Sequence, residues 1–209
     1  MAEANAGKVN NDVETKIINV AKSLFIEKGF AETHMSDIAE KVGITRPALH
    51  YYFRTKDKIF QVVFATIIQS VIPKVKDILS EQNMPIGKRV EAIVDTYYTL
   101  FKENPYLPLF VVKEIHRDVD HLIYTIRTSP MKDTLIKIKE ILQKDMQEGR
   151  LKKIPFPVLF YTFYGMLIFP FLTKNLIIHF GINNEVEFEN VLARWKSHII
   201  SQMEELMTP

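Results

Sequence analysis

Two stretches of this chain carry residue types that could do chemistry, and they point to different chemistries. The first runs from Thr33 to Lys58, THMSDIAEKVGITRPALHYYFRTKDK. Between Lys41 and Lys58 it holds five basic residues against one acidic residue, Asp57, a local excess of the kind that phosphate contacts use. The second is His116-Arg117-Asp118-Val119-Asp120-His121, the only cluster suggestive of catalysis or metal binding. Residues five apart on a helix are turned by about 140°, so its two histidines do not share a face as metal-binding i, i+4 pairs do. A solvated connection is the expectation there, with no metal and no cofactor. No serine nucleophile elbow, glycine-rich phosphate loop or paired-carboxylate arrangement stands out, so the chain is not expected to be an enzyme.

The elements that position the first stretch can be read from local rules. Ser36 or Thr33 caps a short helix whose apolar residues Ile38, Ala39 and Val42 fall at helical spacing, and Gly43 supplies the left-handed residue that stops it. Ile44 buries in the turn. Thr45 caps a second helix, Pro47 sits where a missing N–H costs nothing, and Leu49 with Phe53 forms its buried edge. The opposite face presents Arg46, Pro47, His50 and Tyr51, placed to meet base edges or their flanking backbone if this helix lies in a major groove. An ordinary antiparallel helix pair is the plain alternative, but a pair this short buries little, and its exposed aromatics and charge need a partner.

Thr33, Asp37-Ile38-Ala39, Val42-Gly43-Ile44-Thr45, Leu49, Tyr52-Phe53 and Lys56 together resemble the N-terminal signature of the TetR family of bacterial transcriptional repressors. The likeness covers about the first sixty residues, with turn, cap, core and phosphate-contact positions in register. It implies phosphate contacts at Thr33, Thr45, Tyr52 and Lys56. The chain departs from the pattern at Pro47, where the family often has Gly, and at His50, where it usually has Tyr. Both lie on the recognition helix, so the resemblance implies the mode of binding and not the operator.

A chain of 209 residues, 47% hydrophobic, can bury a sizeable core and suits one domain with a small one appended. The net charge of +2 does not by itself advertise nucleic acid, and the absence of cysteine excludes disulfides and thiolate metal sites. The opening residues hold no apolar core of a secretory signal, so a cytoplasmic location is expected. Ile154 to Leu172 is 19 residues without a formal charge, long enough to be a transmembrane candidate on length alone. Pro155, Pro157, Pro170 and the polar-tipped Tyr161, Thr162 and Tyr164 argue instead for a buried helix and no membrane partner.

The placement of glycines and prolines between helical runs, with no sustained period-two alternation, predicts an all-α fold. After a loose tail, Val13, Ile17, Val20, Ala21, Leu24 and Phe25 form one stripe. A long helix opens at Lys56 and Asp57, with Pro73 expected to kink or end it. Further helices are expected over about Lys88 to Lys102, from Ser129-Pro130 to Gly149 with Leu135, Ile138, Ile141 or Leu142 and Met146 inward, from near Pro157, and over about Glu185 to Met207. The expected domains are residues 1–55, a three-helix DNA-binding unit with a helix-turn-helix, and residues 56–209, a helical ligand-binding and dimerisation domain.

A helix apolar on every side needs cover on both faces. Paired across a two-fold axis, the Pro157 helix and the last helix would form a four-helix interface, with Phe163, Leu192, Trp195 and Ile199 in the seam, a homodimer that the resemblance also implies. The aromatics of the second domain either pack as core or line a cavity. The resemblance, whose C-terminal domains usually bind small molecules, favours an effector site of Phe64, Ile68, Tyr97, Phe101, Tyr161 and Tyr164, with His116 at its mouth. The sequence thus predicts a dimeric repressor on a palindromic double-stranded operator, released by a small apolar or aromatic effector. The alternatives are an architectural DNA-binding protein of the same fold that answers no ligand, and a helical small-molecule-binding module or enzyme.

Overall fold

The computed structural model describes residues 2–180 and 185–209, with side chains for 11–180 and 186–209. Among the described residues every regular element is a helix: α1 (Ala2–Lys28), α2 (Met35–Val42), α3 (Arg46–Tyr52), α4 (Lys56–Ser80), α5 (Ile86–Glu103), α6 (Leu107–Arg117), α7 (Val119–Thr128), α8 (Met131–Gln147), α9 (Phe156–Leu172), α10 (Lys174–His179) and α11 (Glu185–Met207). The chain is all-α, as expected. Helix α1 starts at Ala2, where a loose tail was anticipated, and Pro73 lies inside α4 without ending it. A proline takes no part as a donor, so the carbonyl four residues earlier, on Gln69, loses its helical partner while the helix continues. Short α10 was not foreseen.

The chain divides into two compact units, the first made of residues up to Gln69 together with Phe110–Met131, the second of Ser70–Leu109 and Lys132–Pro209. The boundary expected after residue 55 differs from this division for a packing reason. Ile59, Phe60 and Val63 on the first half of α4 are fully buried, and the Phe60 ring meets Phe25 at 5.7 Å, Phe30 at 5.1 Å and Phe110 at 6.1 Å. That aromatic cluster is the core of the first unit, so α4 cannot be cut away from α1 at its first residue. Leu24 and Phe25 from α1 and Ile38, Ala39, Val42 and Leu49 from α2 and α3 complete it.

In the second unit α5 packs on α11, and α11 on α9. The inward stripe of α11 is Phe188, Leu192, Ile199, Met203 and Met207, a helical period facing α5. The charged residues that hold this unit were not legible. Arg89 on α5 and Asp145 on α8, both buried, pair at 3.2 Å, and Arg150 reaches the other Asp145 oxygen at 2.5 Å. Arg89 also donates to the carbonyls of Met84, Leu79 and Gln82. Gly149, in the left-handed region at φ 74, turns the chain so that the backbone N–H groups of Arg150 and Leu151 reach the Asp145 carbonyl.

Candidate nucleic-acid interface and internal cavity

In the first unit, Gly43 adopts φ 81 and its N–H reaches the carbonyls of Ala39 and Glu40 at 3.0 Å, ending α2. The Thr45 hydroxyl accepts the Ala48 N–H at 3.3 Å, and Pro47 sits in the first turn of α3. Leu49 and Phe53 are buried beneath the helix. This forces Arg46, Pro47, His50 and Tyr51 outward, with Tyr51 77% exposed. Arg46 makes no ion pair among the described residues. Tyr51 braces edge-on against half-buried Tyr52, ring centroids 5.4 Å apart. His50 lies 3.1 Å from the Arg54 carbonyl and so stiffens the exit from α3.

Two residues read as phosphate contacts are employed differently. Thr33 is 0% exposed, and its hydroxyl donates to the carbonyls of Gly29 at 2.8 Å and Leu24 at 3.3 Å. Its side chain satisfies the orphan carbonyls at the end of α1 and neither caps α2 nor faces a phosphate. The cap of α2 is His34, whose N–H is accepted by the Asp37 carboxylate at 3.2 Å, and neither Ser36 nor Thr33 takes that place. This hydrogen bond, above all, holds the Asp37 carboxyl below its usual range. The Lys56 ammonium donates to the carbonyls of Phe30 at 2.7 Å and Ala31 at 3.3 Å and lies 4.3 Å from the Phe30 ring centroid. It closes the α1–α2 connection. A hollow of about 330 Å³ beside it is lined by His34, Met35, Ser36, Arg46 and Lys56.

The charged segment at residues 116–121 is exposed as far as Asp120, as a solvated connection would be, and half-buried only at His121. Asp118 caps α7, accepting the His121 N–H at 2.9 Å, and the His121 ring stacks on Phe60 with centroids 5.2 Å apart. Glu114 is buried and accepts the Phe30 N–H, while Arg117 donates to it at 2.6 Å and covers the Phe30 ring. Among the described residues no group of three or more His, Cys, Asp or Glu is placed to hold a metal. His116 is exposed and bonds back to the Val112 carbonyl at 3.0 Å. It belongs to the first unit and is not among the residues that line the cavity of the second.

The second unit holds a partly open cavity of about 260 Å³. Its walls come from α4 (Ile72, Val75, Leu79), α5 (Ile93, Tyr97), α8 (Leu135, Leu142) and α9 (Leu159, Phe163, Tyr164), with Arg89 at the α5 N-terminal end. Of the residues expected to line an effector site, Tyr97 and Tyr164 do so. Their hydroxyls lie 2.5 Å apart, and burial, the largest cause for both, raises the two phenols above their ordinary range. Phe101 is instead packed on Phe171 at 5.0 Å, and Tyr161 is 71% exposed on the other side of α9. Phe64 and Ile68 lie on the half of α4 that belongs to the first unit.

The residues expected in a dimer seam are mostly used inside the chain. Leu192 and Ile199 are buried in the second unit, Phe163 lines the cavity against Tyr97, and Trp195 Nε1 donates to the Met166 carbonyl at 2.8 Å. On α9 a run of apolar surface stays uncovered: Val158, Tyr161, Phe169 and Leu172 are exposed, with exposed Gly165 among them. Positions 158, 161, 165, 169 and 172 share one helical face. Among the described residues no helix is long and apolar enough to cross a membrane.

A helix-turn-helix with an outward recognition face, in one chain with a second helical unit that holds an apolar cavity, defines a class of helical transcriptional regulators. Residues 17–63 match the family described as bacterial regulatory proteins, tetR family, and the relatives and solved structures similar to this chain support a regulator of that kind. It is similar to the HTH-type transcriptional repressor KstR2 of Rhodococcus jostii strain RHA1, 22% identical over 148 residues, 71% of this chain and 69% of that one. It is 26% identical over 92 residues to the HTH-type transcriptional regulator YdgC of Bacillus subtilis strain 168, a match to 43% of this chain and about half, 47%, of the relative's length. A TetR family transcription regulator from Marinobacter aquaeolei VT8 shares the fold with a TM-score of 0.68 at 15% identity, covering 96% of this chain and 98% of the other.

Proposed function

We propose that this chain is a dimeric repressor that binds a palindromic operator through α3 and leaves it when a small apolar molecule fills the cavity. The observation that carries the reading is α4. One continuous helix supplies Lys56, Ile59 and Phe60 to the unit bearing the recognition face and Ile72, Val75 and Leu79 to the cavity wall. A ligand that displaces the second half of α4 acts on a helix whose first half is core to the DNA unit. Arg46, Pro47, His50 and Tyr51 meet base edges and flanking backbone, while Thr45, Tyr52 and the hollow at the start of α2 take phosphates, where free N–H groups of a helix N-terminus favour an anion. KstR2, which the chain resembles, is a transcriptional repressor.

Two copies meet through the exposed face of α9, with Gly165 permitting close approach of the backbones. Their recognition helices then read half-sites about 34 Å apart on one side of the duplex. A coupling of about 1–3 kcal/mol between ligand and DNA gives roughly 5–150-fold release. The test is selection of bound sequences from a random duplex pool, followed by anisotropy titration with and without cavity-filling compounds. A palindromic consensus whose affinity falls with ligand supports the reading. Tight specific binding that no compound relieves leaves the architectural role, and no sequence preference removes the regulator altogether.

A further inference from the structure

The cavity has almost no unspent polarity, and the little it has is at one place. Arg89 is committed to Asp145 and to three backbone carbonyls, so it offers a ligand no free charge. Lys139 reaches the lining only from an exposed position, where a charge stays hydrated. The remaining walls are aliphatic and aromatic. A charged group taken inside would lose its hydration without an ion to replace it, which penalises carboxylates and ammonium ions.

Tyr97 and Tyr164 differ from these spent groups. Each hydroxyl has one hydrogen, and at 2.5 Å one of the two donates to the other. The accepting tyrosine keeps its own hydrogen, which has no other partner among the described residues. Burial raises both phenols, so both hydroxyls stay protonated at neutral pH. One donor at the wall of an otherwise apolar cavity matches one acceptor oxygen. The cavity also has a length. On α5 its lining runs from Ile86 to Tyr97 and on α9 from Phe156 to Tyr164, the shorter α9 wall being eight residue steps, about 12 Å at the helical rise. An extended chain advancing about 1.2 Å per bond needs roughly ten bonds to span it.

We propose that the effector is a neutral, elongated, aliphatic molecule of medium chain length carrying one acceptor oxygen, a ketone, ester or alcohol, held by the Tyr97–Tyr164 hydroxyl pair. This rests on the effector reading above and names its ligand class. The oxygen takes the free tyrosine hydrogen while the chain runs along α5 and α9 towards Arg89.

The test uses the full chain with three probes of equal length, 2-octanone, octane and octanoate, and with the double variant Tyr97→Phe/Tyr164→Phe, because either tyrosine alone could still donate. Calorimetric titration is expected to rank 2-octanone tightest. Its carbonyl stretch, read by isotope-edited infrared spectroscopy, should move to lower frequency when bound. The double variant should weaken 2-octanone by about 3- to 10-fold, the worth of one net hydrogen bond, remove the frequency shift, and leave octane unchanged or tighter. Octane binding as well as 2-octanone, or a double variant that leaves 2-octanone untouched, overturns the oxygen anchor while keeping the effector cavity. Octanoate binding tightest overturns neutrality. If none of the three binds the native chain, the proposed class fails, and a wider compound screen that also finds no binder removes the effector reading with it.

Discussion

The Glu114 carboxylate accepts the backbone N–H of Phe30 at 3.3 Å across 84 positions of sequence, inside the unit that carries the recognition helix. Its other oxygen holds Arg117, whose guanidinium lies 4.2 Å from the Phe30 ring centroid. Helix α6 therefore fixes the loop that Lys56 closes from the other side. Glu114→Ala leaves a buried N–H and a guanidinium without their acceptor and should cost about 1–3 kcal/mol in denaturant unfolding. Glu114→Gln keeps a neutral acceptor and should cost less. Equal stability for Glu114→Ala and the native chain would mean that water replaces the carboxylate.

Arg46 and Tyr51 are exposed, and Tyr51 meets only the neighbouring Tyr52 ring, so little of the fold rests on either. Arg46→Ala and Tyr51→Ala should unfold at the native temperature yet lose about 1–3 kcal/mol of specific binding, relaxing the preference at one position of the operator. Lys56→Ala should behave differently. It opens two carbonyls of the α1–α2 connection, so its melting temperature should drop together with its affinity for all duplexes. Anisotropy on operator and random DNA, beside thermal unfolding, separates the two patterns.

The helix-turn-helix was legible because its rules are local: Gly43 must take a left-handed conformation, Thr45 caps its own helix, and Leu49 and Phe53 lie four residues apart. Thr33 was misread, and the carbonyls that Lys56 holds were not foreseen, because their partners, at Leu24, Gly29, Phe30 and Ala31, are fixed by how α1 returns past the start of α2 and not by any spacing. The Arg89–Asp145 pair bridges 56 positions and gave no periodic signal, since both residues stand among the charged ones that a solvated face would show. For α11 the single apolar stripe was visible, but a stripe does not say which neighbour it faces. The chain's own α5 takes Leu192 and Ile199. Helix α9, apolar all round, keeps a face exposed.

That spare face makes a sharper prediction about assembly. Tyr161→Asp and Phe169→Asp put charge on exposed positions of α9, so neither should disturb the fold of the chain, while each places an unpaired charge in a proposed seam between two copies. Sedimentation velocity should report monomers with native helicity. Leu192→Asp and Ile199→Asp should instead lower the melting temperature steeply, because they charge the interior of the second unit. Dimers that survive both α9 substitutions would move the interface to another surface.

Tyr98 is the group whose removal should strengthen the protein. Its side chain is 6% exposed, its ring lies edge-on to Phe171 at 5.5 Å, and its hydroxyl has no hydrogen-bond partner among the described residues. Tyr98→Phe keeps the ring and removes an oxygen that folding dehydrates without return, so it should stabilise by about 1 kcal/mol at pH 8. For a chain of this size that is roughly 2–4 °C in melting temperature. Burial pushes the Tyr98 phenol up to about 12 from an ordinary 10.0. Between those values the folded chain keeps a proton that the unfolded chain has released, so stability is level below pH 10 and falls as pH rises towards 12, at no more than about 1.4 kcal/mol per pH unit for this one group. Tyr97 and Tyr164 shift in the same direction and should steepen the fall. Urea unfolding at pH 8, 9, 10 and 11 should therefore show the Tyr98→Phe advantage constant up to about pH 9 and widening above 10. A variant less stable than the native chain at pH 8 would mean that the hydroxyl does find a partner, through water in the cleft that Tyr98 shares with Asp95 and Lys196.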